Sequence, residues 1–219
     1  MSEQENGFGM DVPQTLHVTL ILDESGSMQE CKGAAIAGFN HYLGTLKSER
    51  AYTQVTLTLF NSGKTEVRYR NVPVSAVQEL DVETYRPNDT TPLYDAIGHT
   101  LTAARQQAPA EAKKLCVILT DGLENASQEF DRKKIFAMIK ECKQEGWIFL
   151  YLGADHDVWA AGESLGVAQE NRIAFNKKDV GDTFNKLSIN TANYRRRKQS
   201  EHAPIWDDRP SDPSGAPKP

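Results

Sequence analysis

Strand-like apolar runs alternate with amphipathic helical runs along the chain, which predicts an α/β fold. The expected form is a doubly wound, mostly parallel six-stranded sheet, order 3-2-1-4-5-6, with one antiparallel edge strand and helices on both faces. Three observations carry this. The stretches 16–22, 114–120 and 147–152 are apolar at almost every residue, as strands covered on both faces must be. Leu93, Ala96, Ile97, Leu101 and Ala104 recur at helical spacing between two of them. Finally, the alternating runs 54–60 and 65–70 flank Asn61-Ser62-Gly63-Lys64 and read as a hairpin, which makes the second run the antiparallel edge.

Residues 1–14 are polar and acidic and read as a flexible lead-in, without the apolar centre of a secretory signal. The folded unit is expected over 15–199. Its first strand, 16–22, runs into Asp23-Glu24-Ser25-Gly26-Ser27-Met28. Ala35, Phe39, Tyr42 and Leu46 then define a helix, and the hairpin follows. A short helix is expected over 74–80, then a polar loop to Pro92. Thr91 and Pro92 open the next helix, where proline suits the first turn. The strand at 114–120 ends in Asp121-Gly122, and a helix spans 131–146 with Gly146 as its stop. A strand at 147–152, a short helix at 157–165, a strand at 172–175 and a helix over 181–198 complete the unit. From Ser200 the chain turns rich in Pro, Asp and Ser, which predicts a disordered tail over 200–219; Trp206-Asp207-Asp208 there has the form of an acidic docking motif.

The 219 residues carry a net charge of −5, which gives no general attraction to nucleic acid or to an anionic membrane. No apolar run reaches the roughly 20 residues of a membrane helix. Cys31, Cys116 and Cys142 are far apart and lack metal-ligand spacing, so a cytoplasmic protein with reduced thiols is expected. Arg195-Arg196-Arg197-Lys198 reads as a charged helix end. His156 reads as a loop residue, and Glu124 and Asn125 as exposed turn residues.

Ligands of open parallel sheets sit beyond the carboxyl ends of the strands, where the strand order reverses. That point falls between the strand ending at Asp23 and the one ending at Asp121. The loop carrying Thr91 belongs on the same rim. The order of elements therefore brings Asp23, Ser25, Ser27, Thr91 and Asp121 together. All five offer oxygen, which suits a hard cation: Mg²⁺ or Mn²⁺ rather than Ca²⁺, which recruits more carboxylates and carbonyls. Neutral hydroxyls leave such an ion short of negative charge, so it should attract one more anionic oxygen from outside.

Asp23-x-Ser25-x-Ser27, Thr91 before Pro92-Leu93-Tyr94-Asp95-Ala96-Ile97, and Thr120-Asp121-Gly122 together resemble the metal-ion-dependent adhesion site of von Willebrand factor A domains. The resemblance spans about 15–198, and in style is closest to intracellular bacterial and phage members. It implies the Rossmann-like A-domain fold and a metal bound by Ser25, Ser27 and Thr91, with Asp23 and Asp121 acting directly or through water. It also implies that a protein partner supplies an Asp or Glu carboxylate to the ion, and that ligand binding can shift the last helix. The modest apolar face of that helix, Phe184 to Tyr194, is compatible with a movable element. Thr90 stands where many members carry glycine, and the spacing to Ala96-Ile97 selects Thr91 over it.

The resulting expectation is a non-catalytic, metal-dependent protein-interaction module with no catalytic residues. Two alternatives compete with it. A Mg²⁺-dependent hydrolase or phosphatase could use Asp23 as nucleophile, but the second aspartate that such an enzyme needs two residues on is Ser25 here. Nucleophile-elbow and phosphate-loop motifs are absent. The other alternative is a scaffold whose metal site is vestigial or purely structural.

Overall fold

In the computed structural model, residues 15–49, 52–154, 158–197 and Trp206 are described. Six strands form one sheet: β1 (Leu16–Asp23), β2 (Thr53–Asn61), β3 (Lys64–Pro73), β4 (Lys113–Thr120), β5 (Trp147–Ala154) and β6 (Arg172–Phe175). Their order is β3-β2-β1-β4-β5-β6, and β2–β3 is the antiparallel pair. This is the Rossmann-like arrangement that the alternation of runs predicts. All eight residues of β1 are buried, since helices cover both faces of this central strand. The strand order reverses beside it: β2 lies on one side and β4 on the other. β1 and β4 run in register from Leu16 opposite Lys113 to Leu22 opposite Leu119, so the residues that follow them share one rim.

The helices are α1 (Lys32–Ser48), α2 (Leu93–Gln107), α3 (Arg132–Gln144), α4 (Val158–Ser164) and α5 (Val180–Arg196). Successive strand residues point to opposite faces, so the sheet feeds two apolar clusters. Leu20 and Leu22 join Phe39, Tyr42, Phe184 and Leu187 under α1 and α5. Ile21 joins Ile97, Leu101 and Ile139 under α2 and α3. No helix among the described residues is long and apolar enough to cross a membrane.

Two expectations need correction. The segment 74–80 is not a helix: only Val74–Ala76 forms a 3-10 turn, and Val77 is extended. Side chains of α1 take up its backbone groups instead. Asn40 both donates to the Leu80 carbonyl and accepts from the Leu80 amide, each at 2.8 Å, and Lys47 donates to the Val77 carbonyl at 2.7 Å. Nor is α5 weakly held. Val180, Phe184 and Leu187 are fully buried, and a Cβ on Gly38 of α1 would stand 2.4 Å from the Phe184 ring. The polar residues that dilute its apolar pattern are buried as well; Thr191 bonds Tyr42 Oη at 3.0 Å.

At one edge the β2–β3 register shifts twice, between Val55 and Leu57 and between Leu57 and Thr58, and Asn71 takes a positive φ of 50°. The other edge strand, β6, has four residues. The lead-in 1–14, His156 and most of the tail lie outside the described residues. Trp206 is described, and it packs into the cluster under α1 and α5 rather than standing free.

Candidate metal centre

Asp23 ends β1, and its loop is fastened from the far side by the segment preceding α2. Tyr85 Oη donates to the Asp23 carbonyl, the Asn88 amide to the Glu24 carbonyl at 2.9 Å, and the Gly26 amide to the Asp89 carbonyl at 3.0 Å. The buried Glu24 carboxylate accepts from the Arg86 amide, so that residue holds the loop in place. The Asp23 side chain is 0 % exposed. Its Oδ1 accepts from the Ser25 amide at 2.7 Å and its Oδ2 from Thr120 Oγ1. Burial pushes its carboxyl up to about 6; the Thr120 and Ser25 bonds act against that, and the neighbouring Asp121 charge adds to it.

Ser25 stands at the N-cap of the 3-10 turn Gly26–Cys31, yet its hydroxyl makes no cap bond. It lies 3.2 Å from Ser27 Oγ, which donates to Asp121 Oδ1 at 2.6 Å. The Ser27 proton is thus committed to Asp121, and the Ser25 hydroxyl lies between Ser27 and Asp23. Asp121 Oδ2 is buried, and its partner is the Lys177 ammonium, whose Nζ stands 2.8 Å from it.

Thr91 is 3 % exposed, and its Oγ1 lies 2.8 Å from where a Cβ on Gly122 would stand. Glycine beside Asp121 is therefore what lets that hydroxyl reach the rim. Thr90 is exposed and turned toward the hairpin, bonding Ser62 through its amide at 3.2 Å and its carbonyl at 3.0 Å. The backbone of Thr91 is gripped at both ends by Asn125: its amide donates to Asn125 Oδ1 at 2.9 Å, and its carbonyl accepts from the Asn125 amide at 3.2 Å.

Thr91 does not cap α2. Pro92 holds the cap position and makes no side-chain bond there. The free amides of the first turn are met from the loop after β4: Glu124 Oε2 accepts from the Tyr94 amide at 2.8 Å, and Ser127 Oγ from the Asp95 amide at 3.0 Å. In return the Asp95 carboxylate accepts from the amides of Gln128, Glu129 and Phe130 at 2.8 to 3.0 Å. Glu124 and Asn125 are thus fasteners of the Thr91 segment rather than idle turn residues. The sequence held a signal for this. Proline at the cap leaves the amides behind it in need of an acceptor, and an acidic residue just past the neighbouring strand end is a ready one. For Lys177 there was no such signal, because a lysine in a polar turn has the look of any surface lysine.

The donors fit a hard divalent ion. Each is an oxygen, two are carboxylates, and one buried carboxylate oxygen faces the Lys177 ammonium. Among the described residues, no group of three or more His, Cys, Asp or Glu could hold a metal, so the site depends on its hydroxyls. The basic run at the end of α5 lies at the opposite end of the sheet, and Arg195 there donates to Thr53 Oγ1 at 2.6 Å.

Known proteins share this fold. Proximal thread matrix protein 1 from the mussel byssus superposes with a TM-score of 0.61 at 11 % identity, over 81 % of this chain and 46 % of that one. The chain thus spans about half the length of that protein. A form of the same protein with a zinc-occupied MIDAS motif gives a TM-score of 0.58 at 16 % identity, over 82 % and 48 % of the two chains. Manganese-loaded TRAP protein of Plasmodium vivax gives 0.58 at 17 % identity, over 81 % and 74 %. At such identities these likenesses show the fold alone. No curated protein sequence matches at a significant level. The sequence profile of the von Willebrand factor type A domain matches residues 17–188, most of the chain. The chain belongs to the von Willebrand factor type A domain family.

Proposed function

We propose that the chain is a non-catalytic protein-interaction module acting through a divalent cation, Mg²⁺ or Mn²⁺, at the carboxyl rim of its sheet. Ser25, Ser27 and Thr91 would hold the ion through their hydroxyl oxygens, with Asp23 and Asp121 bound directly or through water. The bound ion would supply a Lewis-acidic position for one anionic oxygen from outside, an Asp or Glu carboxylate of a protein partner. The observation that carries this reading is the continuous chain from Ser25 through Ser27 to Asp121. It directs hydroxyl protons toward a carboxylate and so keeps oxygen lone pairs available. Structures of this fold that carry zinc or manganese support it.

A non-catalytic role is favoured by the state of Asp23. Both its oxygens are held by hydrogen bonds within the rim, which suits orienting an ion or its waters rather than attacking a substrate. Three buried free thiols are in keeping with a cytoplasmic setting.

Calorimetric titration of Mg²⁺ into the wild type, Asp23→Ala and Ser25→Ala tests the site. Binding should be lost or strongly weakened in both variants, whereas equal affinity in all three would remove the basis for the reading. Capture of a partner from the native extract should then depend on Mg²⁺ over chelator and on Asp23. Retention that ignores both would leave a scaffold.

A further inference from the structure

We propose that Lys177 is an internal competitor for the metal: its ammonium shares Asp121 with the divalent ion and thereby sets the affinity of the site. This rests on the metal reading above. Lys177 Nζ stands 2.8 Å from Asp121 Oδ2, 3.2 Å from the Ser27 carbonyl and 3.2 Å from Glu30 Oε2. Each of these partners belongs to the loop after β1 or to Asp121 itself. Among the described residues, the hydrogen bonds and ion pairs of the side chain thus all go to the site.

Its position is imposed by the backbone. Lys177 opens the 3-10 turn Lys177–Asp179, which joins β6 directly to α5. Asn176 closes that turn, its Oδ1 accepting from the Lys178 amide at 3.0 Å and its carbonyl from the Asp179 amide at 2.7 Å. With β6 paired in the sheet and α5 packed on α1, the ammonium has a short tether and little choice of partner.

Charge gives the consequence. The proposed donor set has two carboxylates, and the rest are neutral hydroxyls. An ammonium in contact with one carboxylate cancels half of the negative charge that would hold a divalent ion, and the two cations repel each other at short range. A lysine ammonium is charged at neutral pH, so the competitor stays charged. The exposed Glu30 pulls the ammonium the other way and acts as its alternative partner.

Calorimetric Mg²⁺ titration of the full chain as wild type, Lys177→Gln and Lys177→Arg tests this. Lys177→Gln should bind Mg²⁺ about tenfold more tightly or better, and Lys177→Arg should stay near the wild type. An independent readout uses the wild type alone. Saturating Mg²⁺ should increase the reactivity of the Lys177 amine toward an acylating reagent, quantified by peptide mass spectrometry, because the ammonium leaves Asp121. Wild-type binding with no tightening in a folded Lys177→Gln variant, or Lys177 reactivity unchanged by Mg²⁺, overturns the inference and leaves the metal site standing. Absence of Mg²⁺ binding in the wild type and in Lys177→Gln alike overturns both.

Discussion

Both ends of the sheet bury charge, but they treat it in opposite ways. At the base, where β4 begins, Lys113 and Lys114 are almost fully buried, and each ammonium is met by backbone carbonyls of its own chain. Lys113 donates to the carbonyls of Tyr194 and Arg195 at 2.8 Å and to that of Arg197, which closes the C-terminal end of α5. Lys114 donates to the Ala110 carbonyl at 3.0 Å and to that of Glu145, just past α3, at 3.2 Å. At the rim, the buried oxygen of Asp121 is met by the side-chain ammonium of Lys177 instead of by backbone. The lesson is that a buried charge does not by itself mark a functional site. What distinguishes the rim is the kind of partner: its buried carboxylate oxygen faces a side-chain cation, whereas the buried cations of the base are held by fixed backbone carbonyls.

Breaking the base should cost most. Lys113→Met leaves the carbonyls closing α5 without their donor and should lower unfolding free energy by about 4 kcal/mol, with Mg²⁺ affinity unchanged. Urea denaturation and metal titration on the same variant would show both.

Acid should come next. Burial, with the Lys114 charge adding to it, lowers the His17 imidazole from 6.5 to about 4. The unfolded chain therefore takes up a proton near pH 6.5, and the folded one only near pH 4. Stability should fall as pH drops through that window and level off below it. The total is about 3 kcal/mol, at roughly 1.4 kcal/mol for each tenfold change in proton affinity. The difference between wild type and His17→Phe across pH 7 to 4 isolates this limb, and parallel curves would refute it.

The rim should respond with the opposite sign. Asp23→Asn removes a buried carboxylate that burial disfavours, so in chelator it should stabilise the fold by about 2 kcal/mol while Mg²⁺ affinity falls about a hundredfold. A destabilised variant would mean that the Asp23 charge serves the fold. Smallest is Gly122→Ala, whose Cβ meets Thr91 Oγ1. It should cost roughly 1 kcal/mol of stability, and its main readout is about tenfold weaker Mg²⁺ binding.

Much of this was legible in the sequence for a definite reason. The strands from Leu16 and from Lys113 are buried on both faces and so carry a signal that needs no partner to read; the hairpin at Asn61–Lys64 carried its own turn chemistry. Once strand order was inferred, Asp23, Ser25, Ser27, Thr91 and Asp121 fell on one rim, and the fold places them there. What the sequence does not show depends on contacts between segments distant in the chain. The stretch after Val74 has helical residues but finds its bonds in Asn40 and Lys47. The cap of α2 comes from Glu124 and Ser127, where local pattern pointed to Thr91. The face of α5 looked modest because burial of Ser188, Asn190 and Thr191 cannot be seen in hydrophobicity alone.

The margins of the sheet bear on how copies of the molecule meet. Along β3 the charged side chains Lys64, Glu66, Arg68 and Arg70 recur, and the double register shift against β2 twists the strand out of line. The opposite margin, β6, is too short to template a neighbour. Neither flank offers a flat ladder for a second chain to extend. Growth into fibrils by strand addition is discouraged at both sides.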